Sequence, residues 1–249
     1  IEMSTSNLQV VSPPEYPLTD NGRKRLLYII CAFIGSIIFI TGFSLLVELI
    51  DRTLRDAYRS RRLTGLPVIA AFNGTNNLKY RGFLKACNRR AAAYACQQIN
   101  GYLQPNRATI INLLSIEERE GKSFLAKYFA QYWESEGLHV RIVNHDIDFE
   151  KESKSYVQAQ QLSDFWQLND AEQQPDIILV EYPALCHYDV PEKVLAESDF
   201  NLLVANAARL WSEKDNARLR SVKDILKDKS LYLYLNNADR ETVESFTGE

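Results

Sequence analysis

From Leu26 to Val47 the chain carries no charged residue, and apolar side chains occupy every face of the helix that this stretch implies. About 22 such residues at about 1.5 Å each span about 33 Å, enough to cross the hydrocarbon core of a bilayer. A globular core helix is rarely apolar all round for so long, so one transmembrane helix over Leu26–Leu49 is predicted. The run is too long for a signal peptide, and no small-residue cleavage site follows it. Upstream, Pro13, Pro14 and Pro17 favour an extended approach to the bilayer. Downstream, Glu48 to Arg62 reads as a helix leaving the membrane, with Leu54 and Tyr58 at i, i+4 among arginines.

Beyond Gly65 and Pro67, Val68–Phe72 is a short apolar run and Asn73–Asn77 is turn-like. Leu78–Leu103 reads as a helix with Phe83, Leu84, Cys87, Ala91 and Tyr94 on one stripe and Arg89 and Arg90 outside it. From Ala108 onward strands alternate with helices, the signature of a parallel sheet covered on both faces. Strands are predicted at Ala108–Leu114, His139–Val143, Ile177–Val180, Asn201–Ala205 and Leu231–Leu235. The strongest helical pattern is Lys122–Glu136, with Phe124, Tyr128 and Tyr132 on one row, Leu125, Phe129 and Trp133 on the next, and Gly137 placed to end it. A further helix is predicted over Ser212–Lys227, and the polar stretch 150–174 reads as a partly mobile excursion. The expected fold class is therefore α/β: a transmembrane helix followed by a mostly parallel, Rossmann-like sheet with helices on both faces. The expected divisions are an extended segment over 1–25, the membrane helix over 26–50, a juxtamembrane helix and linker over 51–75, and a domain over 76–249.

Arg23, Lys24 and Arg25 precede the apolar run, whereas Arg52, Arg55, Arg59, Arg61 and Arg62 follow it. The excess of positive charge on the C-terminal side predicts that the large C-terminal part faces the cytosol. A formal net charge of -3 and a pI near 5.8 give no global attraction to nucleic acid. The cysteines Cys31, Cys87, Cys96 and Cys186 and the histidines His139, His145 and His187 lie scattered, without zinc-ligand or disulfide-framework spacing. A chain that starts at Ile1 and stops at Glu249 without a closing element is expected to be a piece of a longer polypeptide.

The chemistry concentrates at Glu120, Gly121, Lys122, Ser123 and Phe124, between a predicted strand and the start of the strongest helix. A phosphate loop needs a glycine that lets backbone N–H groups turn to phosphate, a lysine for the β and γ phosphates, a hydroxyl for Mg²⁺ and a helix N-terminus behind them. These residues meet those needs and form the expected ATP-binding set. The strict spacing would place glycine at 116, where Ile116 stands, and Glu117, Glu118 and Glu120 add negative charge that Arg119 only partly offsets. Ligands of open α/β sheets bind beyond the C-terminal strand ends. That makes Asp146 after the second strand and Glu181 after the third the candidate partners of Lys122 in catalysis, with Ser123 and Asp146 as candidate Mg²⁺ ligands.

The stretch Glu48–Asp51, followed by Arg52, Leu54, Arg55 and then Leu63–Val68, resembles the membrane exit of bacterial polysaccharide co-polymerases with a fused tyrosine autokinase domain. Weaker agreement continues in Glu120–Ser123, Pro175–Pro183, Ser198–Val204 and Leu235–Asn237. The resemblance implies a P-loop domain using ATP and Mg²⁺, homo-oligomerisation beneath the bacterial inner membrane, and work with a polysaccharide polymerase or outer-membrane export machinery. Departures fall on the catalytic positions. The family's Asp-x-Asp-x-Arg reads Asn144, His145, Asp146, Ile147 and Asp148, and its Asp-Thr-Pro-Pro reads Glu181, Tyr182, Pro183 and Ala184. The Glu-x-x-Arg-x-x-Arg oligomerisation motif has no clean match near Arg81, and no tyrosine cluster closes the chain. Tyr232 and Tyr234 fall in a predicted strand, where packing accounts for at least one of them better than phosphorylation does. If one lost metal-facing carboxylate weakens transition-state stabilisation by about 3 kcal/mol, the rate falls roughly a hundredfold. A degenerate kinase domain acting as an oligomeric scaffold is therefore expected, with an active autokinase or ATPase as the alternative and a membrane-anchored partitioning-type ATPase as a third reading.

Overall fold

The computed structural model describes residues 22–74, 81–168, 173–227 and 229–247, so the proline-rich approach and the start of the helix predicted at Leu78 lie outside the described residues. The chain divides into one unit ending at Asp51 and another beginning at Arg52. The first is helix α1 (Gly22–Ile50), whose described side chains are all exposed and whose segment Lys24–Ile50 is long and apolar enough to cross a membrane. Two of its hydroxyls bond within the helix: Ser36 Oγ donates to the Phe33 carbonyl at 2.7 Å and Thr41 Oγ1 to that of Ile37 at 2.8 Å. Bonds of this kind let a hydroxyl sit in an apolar medium without water.

In the second unit the predicted exit helix is broken. Helix α2 (Ala57–Thr64) starts afresh because Asp56 caps it, accepting from the Arg59 N–H at 2.8 Å, and Gly65 ends it at φ 66 with its N–H on the Arg61 carbonyl. Leu54 is buried whereas Tyr58 is exposed, so the two do not share a face. The apolar run that follows is not a linker but strand β1 (Val68–Asn73), which the sheet takes in as an edge.

The remaining elements alternate: α3 (Arg81–Ile99), β2 (Thr109–Leu114), α4 (Lys122–Ser135), β3 (Val140–Asn144), the short α5 (Lys154–Val157), β4 (Ile177–Glu181), α6 (Glu192–Glu197), β5 (Phe200–Asn206), α7 (Glu213–Leu226), β6 (Leu231–Ala238) and α8 (Arg240–Thr247). All six strands are parallel, in the order β1-β6-β5-β2-β4-β3, with helices on both faces. Central β2 and β4 are buried along their whole length, which their near-continuous apolar sequences require, while the edge strand β3 is mostly half-buried. The core is aromatic on one side: Phe72 of β1 meets Phe124, Tyr128 and Tyr234 at ring separations of 4.9–5.5 Å, and Phe129 meets Trp133 and Tyr234. Leu125, Phe129 and Trp133 are the buried row of α4, and Gly137 follows that helix at φ 86. Tyr234 is fully buried, as core packing demands, and Tyr232 half-buried.

Two readings of amphipathicity are corrected. The buried stripe of α3 consists of Cys87, Asn88, Ala91, Ala92, Ala95, Cys96 and Ile99, small side chains that let the helix approach the sheet closely. Phe83 and Tyr94 lie on the rim instead, Phe83 under the Arg240 guanidinium at 5.1 Å and Tyr94 beside Phe246 of α8. The polar stretch after β3 is not loose over its described part. Phe149, Tyr156 and Phe165 stack at 4.7–5.2 Å, and Leu162 and Trp166 are buried with them. Three aromatic rings in mutual contact suffice to hold a short excursion against the sheet.

Candidate functional site

Adjacent strands β2 and β5 send their connections in opposite directions, β2 toward the β3 edge and β5 toward the β1 edge. A crevice opens at such a switch point. The loop from Ser115 to Gly121 fills its floor. Its first two carbonyls are held by the segment after β4: Leu185 N–H donates to Ser115 and Cys186 N–H to Ile116, both at 2.9 Å. Ile116 is buried and is not among the residues with positive φ, so isoleucine fits where the strict motif has glycine. The turn is made later, at Arg119 (φ 57) and Gly121 (φ 100). At Gly121 a side chain is excluded twice over, since a Cβ would lie 2.0 Å from the Asn236 side-chain nitrogen.

Helix α4 begins at Lys122, and its free N–H groups and dipole face the crevice as an anion site would need. The cleft there has a volume of about 390 Å³; loop residues Glu118 to Phe124 line it, with His145, Asp146, Lys151, Glu181 and Tyr188. The loop, the β3 end and the β4 end thus converge. Lys122 is buried and its ammonium donates to Ser115 Oγ, which in turn donates to the Glu117 carbonyl at 2.7 Å. Burial pulls the Lys122 pKa down, while Glu120, Glu181 and Asp146 pull it back up.

Around Glu181 the geometry is unlike a bare metal-binding carboxylate. Ser123 Oγ donates to Glu181 Oε2 at 2.6 Å, and Asn144 Nδ2 donates to the same oxygen at 3.1 Å. Burial raises the Glu181 pKa, against the hydrogen bond from Ser123 and the charge of Lys122. Asp146 lines the same cleft from an exposed position: its side chain is 68% exposed and lies 3.3 Å from His145 Nε2, and its N–H donates to Asn144 Oδ1 at 2.8 Å. His145 is held below its ordinary pKa by burial, with Asp146 opposing. Among the described residues no group of three or more His, Cys, Asp or Glu side chains could hold a metal. A Mg²⁺ ion in this cleft would take few protein ligands and rely on phosphate oxygens and water, as that ion commonly does.

Glu120 behaves unlike the other loop carboxylates. It is 2% exposed and turned away from bulk solvent, with Oε1 accepting from Arg209 Nε at 2.7 Å and Oε2 from the Glu117 N–H at 3.3 Å. Burial raises its pKa and Arg209 lowers it. Its negative charge is therefore countered by Arg209 within the cleft wall. Sequence reasoning weighed Arg119 for this task and missed Arg209, which lies 89 residues downstream in the loop after β5. It also missed Ser115 as the resting partner of Lys122. No spacing rule marks either, because both contacts exist only once the sheet is assembled.

No family model matches the chain, and no curated protein sequence matches it. Solved structures do. The kinase domain of the Escherichia coli tyrosine kinase ETK aligns over 74% of this chain and 94% of its own, at 10% identity and a TM-score of 0.53. The BceF tyrosine kinase domain aligns over 74% of this chain and 99% of its own, at 15% identity and a TM-score of 0.47. The first of these likenesses is one of fold. The second unit accordingly has a P-loop fold of the bacterial tyrosine-kinase type, and α1 before it is a candidate membrane span.

Proposed function

We propose that this chain is the membrane-anchored cytosolic module of a bacterial polysaccharide co-polymerase, a degenerate tyrosine-kinase-like domain that binds nucleotide weakly and serves mainly as an oligomeric scaffold. The observation that carries the reading is the saturation of Glu181 Oε2 by two donors, Ser123 Oγ and Asn144 Nδ2. An aspartate in place of Asn144 would put a second carboxylate beside Glu181 and raise the negative charge that draws Mg²⁺; the amide instead removes a ligand charge and occupies one oxygen of Glu181. Asp146, exposed and turned to His145, does not make up the loss.

The cleft still fits a polyphosphate in outline. Lys122, the N–H groups at the start of α4 and the Gly121 turn would hold ATP, with Phe124 at the entrance to the helix, and Ser123 would lie nearest Mg²⁺. When bound, Mg-ATP would supply a transferable phosphoryl group and the charge that activates it. Lys122 would exchange its bond to Ser115 for one to phosphate, and Glu181 would have to release Ser123. With α1 in the inner membrane and the basic flank of Arg52, Arg55, Arg61 and Arg62 on the cytosolic side, the domain would lie beneath the bilayer. There it would assemble with its own copies and couple to the polymerase or the outer-membrane export machinery.

The full chain in detergent micelles, titrated with Mg-ATP beside Lys122→Ala, tests the reading. Weak binding lost in the variant, with no autophosphorylation, is expected; turnover like that of an ordinary tyrosine kinase, abolished by Lys122→Ala, overturns it. An active autokinase or ATPase is the alternative. It draws on the 2.6 Å contact between Ser123 and Glu181, which brings a hydroxyl and a carboxylate together where Mg²⁺ would be held.

A further inference from the structure

We infer that Arg209 is the positioning residue of the phosphate loop, and that it ties this loop to the strand pairing made by Thr53, three residues after the end of α1. Arg209 sits in the loop after β5 and forks between two buried carboxylates, donating from Nε to Glu120 at 2.7 Å and from Nη1 to Asp215 at 2.9 Å. Glu120 belongs to the phosphate loop, and its other oxygen accepts the Glu117 N–H. Its backbone carbonyl accepts Asn236 Nδ2 at 3.0 Å, so the loop is gripped at both side chain and main chain immediately before Gly121.

The same short connection reaches the other way. Leu210 pairs with Thr53 in an isolated antiparallel bridge, and the Trp211 N–H donates to the Arg52 carbonyl at 2.9 Å. The Arg209 guanidinium lies 5.4 Å over the Trp211 ring, and that ring is buried, its N–H on Asn216 at 2.7 Å. Three consecutive residues, Arg209 to Trp211, therefore touch the phosphate loop at one end and the segment leaving α1 at the other. A displacement of Arg52 and Thr53 reaches Arg209 through one peptide step, and a displaced Arg209 leaves Glu120 as an unpaired buried carboxylate next to the start of α4. A buried charge stripped of its partner is strongly disfavoured, so the loop must move with it.

The coupling stands on protein contacts alone; that the loop it positions takes nucleotide rests on the function proposed above. Hydrogen–deuterium exchange on the full chain in detergent micelles separates the two. In Arg209→Gln the amides of both 116–121 and 52–54 should exchange about tenfold faster or more, while β5 keeps its protection and reports an intact fold. Arg209→Lys, which keeps the charge without the fork, should fall between. Glu120→Gln combined with Arg209→Gln should restore much of the protection of 116–121, because the loop then holds no stranded carboxylate, while Asp215 outside the loop keeps its donors from Ser212; a side chain that only fills space would show no such rescue. Unchanged exchange in 116–121 in both single variants, or absence of rescue in the double variant, overturns the inference. Failure of the wild type to bind Mg-ATP would overturn the nucleotide reading and leave the exchange result standing.

Discussion

Gly121→Ala perturbs the site at a point where two separate costs can be counted. The residue holds φ 100, a conformation that an L side chain adopts at about 1–2 kcal/mol. The new Cβ would also lie 2.0 Å from Asn236 Nδ2 and 2.9 Å from its Cγ, so the amide must swing away. Doing so breaks its 3.0 Å bond to the Glu120 carbonyl, a part-buried contact worth about 1 kcal/mol, with more lost if the carbonyl finds no new donor. Together the terms come to about 3 kcal/mol, or a fall in Tm of roughly 6–12 °C for a domain of this size. Thermal unfolding followed by circular dichroism in micelles measures it. Repeating Gly121→Ala in an Asn236→Ala background separates the terms, since only the backbone cost of about 1–2 kcal/mol should survive there. Equal losses in the two backgrounds, or a loss below about 0.5 kcal/mol in the wild type, would refute the packing argument.

Other consequences are as direct. Asn144→Asp should raise Mg²⁺-dependent ATP affinity by about tenfold, because it adds a ligand charge and removes one donor from Glu181; calorimetric titration with and without Mg²⁺ measures it. Tyr234→Phe should be neutral or stabilising by up to about 1 kcal/mol in urea unfolding, since the buried hydroxyl has no hydrogen-bond partner among the described residues, whereas loss of stability beyond 1 kcal/mol would reveal one. Trp133→Ala should cost about 3–5 kcal/mol, emptying a fully buried site and releasing the 2.8 Å bond to Asn100. Glu181 is raised above its ordinary 4.5, so its protonated form favours the fold. Its contribution is present below 4.5 and fades as pH rises through the raised value. Glu181→Gln should therefore gain on the wild type in urea midpoint as pH increases from about 4.5 to 7, and a gain that shrinks over that range would contradict the sign.

What could be read in the sequence followed periodicity. The strands at 109–114, 177–181 and 200–206 are central and parallel, buried on both faces, so their apolar runs are close to continuous and announce themselves. Helix α4 has a buried row at i, i+4, i+8, Leu125, Phe129 and Trp133, and begins within the phosphate-loop residues at Lys122. By contrast β1 reads as part of a linker, because five apolar residues beside turn residues carry no period that distinguishes a strand. Its place is fixed by Phe72, whose ring has partners in α4 and β6, more than 50 residues away in the chain. Helix α3 misled for the opposite reason. Its large side chains suggested a buried stripe, but the sheet takes the face made of alanines and cysteines, where closeness rather than bulk gives the contact.

The same distinction separates the parts of the site. Gly121, Lys122 and Ser123 are contiguous, and local geometry at a strand-to-helix turn is enough to aim them, so the sequence revealed them. Whether they work depends on groups brought in from other strands: Asn144 from β3, Glu181 from β4, Arg209 after β5 and Asn236 from β6. Each of these bonds runs between residues 37 to 116 positions apart, the nearest being the β3–β4 pair, and each involves a polar side chain at least partly withdrawn from water. In that setting a change from carboxylate to amide at 144 alters which atoms are already satisfied, not merely the total charge. Counting acids along the loop makes the site repulsive, yet the acid nearest the glycine is internally paired, and on the proposed reading the weakness lies one strand over, where Glu181 Oε2 already accepts from Ser123 and Asn144. On that reading Asn144→Asp should raise Mg-ATP affinity and Glu120→Gln should not, because only the former adds a charge beside Glu181.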